Sequence, residues 1–149
     1  MSETAKPEIN AVTDLAAFDD TADRVMTVIA GGKPLTDAAG KPITITFYGP
    51  DSAQYGVARN AMLNGLRKLQ ARATAAAPMT VQEEKAVYIK FYADVTKAWS
   101  GNLPVRGRAV AFSPENAFEA YRTVHNLYRA VNAFLLKSNT EAAEDFTAA

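Results

Sequence analysis

The chain has 149 residues, enough for one domain with a single buried core. Its 16 basic and 16 acidic residues cancel, so no long-range field favours nucleic acid or an anionic membrane. There is no cysteine, which excludes disulfides, thiolate catalysis and cysteine-ligated metals.

Residues 1–22 are polar and aspartate-rich, and a flexible N-terminal segment is expected there. Met1 to Pro7 lack the apolar run of a signal peptide. No uncharged apolar run approaches the ~18 residues of a membrane span. A cytoplasmic protein is the expectation. Val25 to Ile29 is β-branched and reads as a first strand. Ile43 to Tyr48 alternates strictly, placing Ile43, Ile45 and Phe47 on one face and Thr44, Thr46 and Tyr48 on the other. Gly31, Gly32, Pro34, Gly40 and Pro42 punctuate the connection, as in a long hairpin.

Three helices are expected to follow. Asp51 or Ser52 caps the first, whose stripe is Tyr55, Ala58, Met62, Leu66 and Leu69, and Ala71 to Ala77 prolongs it as far as Pro78. Thr80-Val81-Gln82-Glu83 is a capping box for the second, in which Thr80 and Glu83 satisfy orphan amides reciprocally. Its stripe is Val81, Tyr88, Phe91, Tyr92, Val95 and Trp99. Ser113, Pro114 and Glu115 open the third as N-cap, first helical residue and dipole-matched acid. Ala117, Tyr121, Val124, Tyr128, Val131 and Leu135 then step by four and three. The fold class is therefore α+β and mostly helical, an N-terminal β-hairpin followed by three helices. Residues 23–137 form the single domain, and 138–149 an acidic flexible tail.

Candidates for catalysis are poor. His125 is the one histidine and sits off the apolar stripe, so a solvated side chain is expected. Asp19, Asp20 and Asp23 lack the alternating ligands and internal glycine of a calcium loop. Gly31-Gly32-Lys33 is followed by Pro34 and lacks the spacing of a phosphate loop. No catalytic residue, metal site or cofactor is expected. The aromatic residues carry more information. Most suit a core, but the stripes are wide, and large exposed apolar patches mark partner sites. For Trp99, core and partner contact both remain open.

The segment Ala98-Trp99-Ser100-Gly101, followed after a loop by Ala111-Phe112-Ser113-Pro114-Glu115-Asn116-Ala117 and Tyr121, resembles the phage tail assembly chaperones of long-tailed bacteriophages. In that family a Trp-x-Gly segment leads to Pro-Phe-Ser-Pro-Glu-Asn-Ala and then Leu-Tyr; Ala120-Tyr121 stands at the latter place here. Gly32-Lys33-Pro34-Leu35-Thr36-Asp37, Gly40-Lys41-Pro42-Ile43-Thr44-Ile45 and Gly49-Pro50-Asp51-Ser52 are similar to the family's hairpin and first helix start. The resemblance implies a protein of virion morphogenesis in the host cytoplasm. It would bind and solubilise the tape measure protein, help recruit tail tube subunits, and be absent from the finished virion. Self-association is a further option; nucleic acid and membrane are not implied partners. The implied partner-binding residues are Trp99, Gly101, Phe112 and Tyr121, with Ser113, Pro114, Glu115 and Asn116 shaping the corner that presents them. A structural tail or neck component retained in the virion is the alternative, and a regulatory nucleic-acid adaptor is the more distant one.

Overall fold

The computed structural model describes residues 20–148, with side chains to Lys137. Residues 1–19, most of the expected flexible segment, lie outside the described residues. The architecture is α+β and mostly helical. Strand β1 (Arg24–Thr27) is followed by β2 (Ile29–Ala30), β3 (Lys33–Pro34) and β4 (Thr44–Phe47). Helices α1 (Ala53–Arg72) and α2 (Val81–Val95) come next, then β5 (Thr96–Trp99), β6 (Leu103–Val105) and β7 (Arg108–Val110). Helices α3 (Pro114–Thr123) and α4 (His125–Ala148) complete the chain.

The expected long hairpin is present. Strands β1 and β4 pair antiparallel with Met26 opposite Ile45, and the small β2–β3 hairpin sits within their connection. The first strand is interrupted at Val28, whose amide bonds the Ile43 carbonyl (2.9 Å) while its carbonyl accepts from Leu35 (2.8 Å). Ile43, Ile45 and Phe47 are buried, and Thr44, Thr46 and Tyr48 are half-buried on the opposite face, as strict alternation requires.

The second expected helix ends four residues early. Trp99 does not continue the α2 stripe; it lies on β5, which pairs antiparallel with β4 through Ile45–Trp99 and Thr46–Ala98. The three-stranded sheet therefore has the order β1-β4-β5. Ser100 extends the ladder, its amide donating to the Thr44 carbonyl and its Oγ accepting from the Thr44 amide, both at 2.9 Å. Strand pairing across more than fifty residues overrides a helical spacing that Trp99 satisfied only locally.

The helix starts obey their caps. Ser52 Oγ accepts from the Tyr55 amide at 3.2 Å, and both arms of the Thr80–Glu83 capping box are formed, at 3.1 and 3.0 Å. Helix α1 stops at Arg72 rather than running to Ala77. Thr74 turns the chain by accepting the Ala77 amide at its hydroxyl (2.9 Å), and the Arg72–Glu83 ion pair ties the end of α1 to the start of α2. Val81, expected on the α2 stripe, is instead 76% exposed.

The third expected helix is divided. Val124 is extended (φ −110°, ψ 91°) and separates α3 from α4. Its amide still reaches the Ala120 carbonyl, while its own carbonyl accepts from Leu127 (3.0 Å) and Tyr128 (3.1 Å). Division lets one continuous stripe face two ways. Ala117, Ala120 and Tyr121 turn toward α2, and Leu127, Val131 and Leu135 join the core beneath the sheet, where Phe134 meets Phe47 at 5.8 Å. The backbone of α4 continues to Ala148, through the segment expected as a flexible tail.

Candidate docking groove

Sequence reasoning singles out the corner between β5 and α3. There Trp99 is 6% exposed; its ring meets Phe112 edge-on (5.2 Å, 83°), and its Nε1 donates to the Val110 carbonyl at 3.1 Å. Ser113 caps α3 by accepting the Asn116 amide at 3.0 Å, and the Asn116 side chain donates to the Ala111 carbonyl at 2.9 Å. Pro114 and Glu115 occupy the exposed first turn. Gly101 turns the chain out of β5 with a left-handed backbone (φ 62°) that favours glycine.

Tyr121 is fully buried, and its hydroxyl lies 2.8 Å from Thr96 Oγ1. The single Thr96 hydroxyl proton goes to the Tyr92 carbonyl (2.7 Å), so Tyr121 is the donor of this pair. Burial pushes the Tyr121 phenol well above its ordinary pKa. The structure thus brings the corner residues together but corrects the expected roles of two of them. Trp99 and Tyr121 are interior side chains in this fold, packed within the corner.

The braced element is the β6–β7 hairpin, in which Leu103 pairs with Val110 and Val105 with Arg108. Its tip, Arg106-Gly107, has two positive φ angles (50° and 78°), the signature of a type I′ turn. Arginine at the first position is strained by about 1 kcal/mol or more. A specific contact offsets that cost. The Arg106 guanidinium donates to the Thr123 carbonyl at 3.0 Å, capping α3 where its dipole is negative. The hairpin is therefore tied to both ends of α3, through Trp99 and Asn116 at one end and Arg106 at the other.

One side of this hairpin walls a groove of about 460 Å³. Its other walls are Met26 to Gly31 with Leu35, and the α3–α4 break with the first turns of α4. Among the described residues, Thr27 and Asn126 are the only polar side chains in the lining, and no charged side chain enters it. Ile29, 57% exposed, stands at the rim above buried Met26, Leu103 and Leu127. This size and apolar character suit a side-chain cluster from another molecule. A shallower depression between α1 and α2 is crossed by the Lys90–Asp94 ion pair (2.8 Å) and is less suited. No sequence motif marks the groove, because its residues come from three separated segments that only the fold assembles.

Other chemistry is sparse. Among the described residues, no group of three or more His, Asp or Glu side chains is placed to hold a metal ion. His125 is exposed; Lys85 Nζ lies 3.0 Å from its Nδ1, and its ring stacks on Tyr128. Desolvation raises the Tyr92 phenol to about 12, and its hydroxyl donates to the Asn132 side chain. No helix among the described residues is long and apolar enough to cross a membrane. Comparison with protein-family models, with curated proteins and with solved structures found no match.

Proposed function

We propose that this chain is a non-enzymatic tail assembly chaperone that covers apolar helical segments of a phage tape measure protein in the host cytoplasm. The reading rests on the resemblance carried by Trp99 to Gly101 and Phe112 to Tyr121. The structural observation that supports it best is the open groove, lined without charge and walled by the hairpin those residues brace. A tape measure protein not yet sheathed by its tube exposes repeated apolar helix faces, which a small groove-bearing protein can cover helix-in-groove. Many weakly bound copies along one long partner combine avidity with release when tail tube subunits arrive. In this reading the chaperone recruits those subunits and leaves before the virion is complete.

The test is co-expression with the long helical protein encoded immediately downstream, scoring that protein's solubility. It is expected to become soluble and to co-purify with the chain, and Ile29→Asp is expected to abolish both while leaving the melting temperature unchanged. Unaltered solubility, together with this chain in purified particles, would replace the proposal with a structural tail or neck component.

A further inference from the structure

Among the described residues, the groove lining carries no charge, and four cations neighbour it. Lys33 pairs in register with Ala30 of the lining, and Arg108 with Val105. Arg106 follows Val105 and reaches across to Thr123, next to Val124 of the lining. Arg129 precedes Ala130 and lies one turn beyond Asn126, both lining residues on α4. All four cations are exposed, and among the described residues none is in an ion pair. The bond from Arg106 to a carbonyl leaves its charge uncompensated.

Among the described residues, several carboxylates of this region already have partners of their own. Asp37 is occupied by the Ala39 and Lys41 amides (2.9 and 3.0 Å), and Glu119 by Arg122 (2.7 Å). Asp20, Asp23, Glu83 and Asp94 are paired with Arg24, Lys97, Arg72 and Lys90, and none of these residues lines the groove. Among the described residues, four cations in no ion pair therefore neighbour the apolar lining; Arg106 and Arg108 also line the adjoining depression against α3, which Glu119 shares.

We propose that the groove selects a helix whose apolar stripe is bordered by carboxylates. The inference rests on the reading of this groove as the docking surface, and it names the chemistry of the partner segment. The apolar stripe supplies buried area, and acidic flanks meet Lys33, Arg106, Arg108 and Arg129. Small residues at the rim, Ala30, Gly31 and Ala130, let a helix backbone come close. Charges at such a rim act chiefly on partner choice and association rate, and salt screens them.

The experiment uses two synthetic helical peptides about five turns long, with one shared apolar Leu/Ala stripe, flanked by Glu in one and by Lys in the other. Amide shifts of the full chain locate binding, and titration gives affinity. The Glu-flanked peptide is expected to shift Ile29, Val105 and Leu127 and to bind about tenfold more tightly in low salt. That preference shrinks toward unity at about 0.5 M salt, and Lys33→Glu with Arg129→Glu reverses it. Equal affinities would overturn the charge selection and leave the groove standing as a docking surface. Absence of shifts at the groove with either peptide would overturn both the selection and the groove reading.

Discussion

Trp99 Nε1 donates to the carbonyl of Val110 across 3.1 Å, joining the edge strand of the main sheet to the small hairpin that walls the groove. One buried side chain thereby relays the position of β4 and β5 to a surface it does not touch. The motif that draws attention in the sequence acts on the groove from behind.

Replacing Trp99 by Phe keeps a ring against Phe112 and removes the donor. The expected cost is about 1–2 kcal/mol of global stability, from one net hydrogen bond and part of a buried indole. Chemical denaturation measures that loss, and amide exchange at Leu103 and Val110 is expected to quicken more than exchange in β4. Uniform exchange across both sheets would show that the bond does not hold the hairpin.

Arg106→Gly relieves the turn and removes the helix cap together. The two effects oppose each other, so global stability is expected to stay within about 1 kcal/mol of the parent. Local behaviour should separate from it. Amide exchange in the hairpin and at Val124 is expected to rise, while the melting temperature barely moves.

Tyr121→Phe isolates one buried hydrogen bond, because the ring stays and Thr96 keeps its bond to the Tyr92 carbonyl. The expected loss is about 1 kcal/mol, against about 3–5 kcal/mol for Tyr121→Ala, which opens a cavity under α3. Denaturant midpoints of the two variants give the comparison directly.

Alkali should unfold the protein by a route the tyrosines define. The Tyr92 phenol is raised from 10.0 to about 12 by desolvation, so the folded state retains its proton longer than the unfolded state. Its stabilising contribution is complete below pH 10 and is lost as pH rises from 10 to about 12. Tyr121, raised further by burial, adds to the same loss. The denaturation midpoint followed against pH should fall across this interval, and more shallowly in Tyr92→Phe. At the acid end the sign reverses. Glu83, held down first by the Thr80 amide and then by Arg72, contributes above its ordinary 4.5 and ceases to as pH falls through its lower folded value.

The sequence by itself determined the features whose partners lie within three or four residues. Ser52, Thr80 and Ser113 start helices because each hydroxyl reaches an amide of the next turn. Ile43, Ile45 and Phe47 share a face because strands alternate. Only the tertiary structure decided where α2 stops, where α3 breaks and what Trp99 does. Helical spacing and strand pairing both fitted Thr96 to Trp99, and the choice fell to β4, whose Ile45 is 54 positions from Trp99 in the chain. The break at Val124 has no glycine or proline to announce it; Thr123, Val124, His125 and Asn126 are weak helix formers, and Arg106 from a distant turn takes the freed carbonyl. The groove follows from these long-range choices. Hydrogen bonds and burial between remote segments outweigh local propensity, so a surface assembled from three segments has no signature in any one of them.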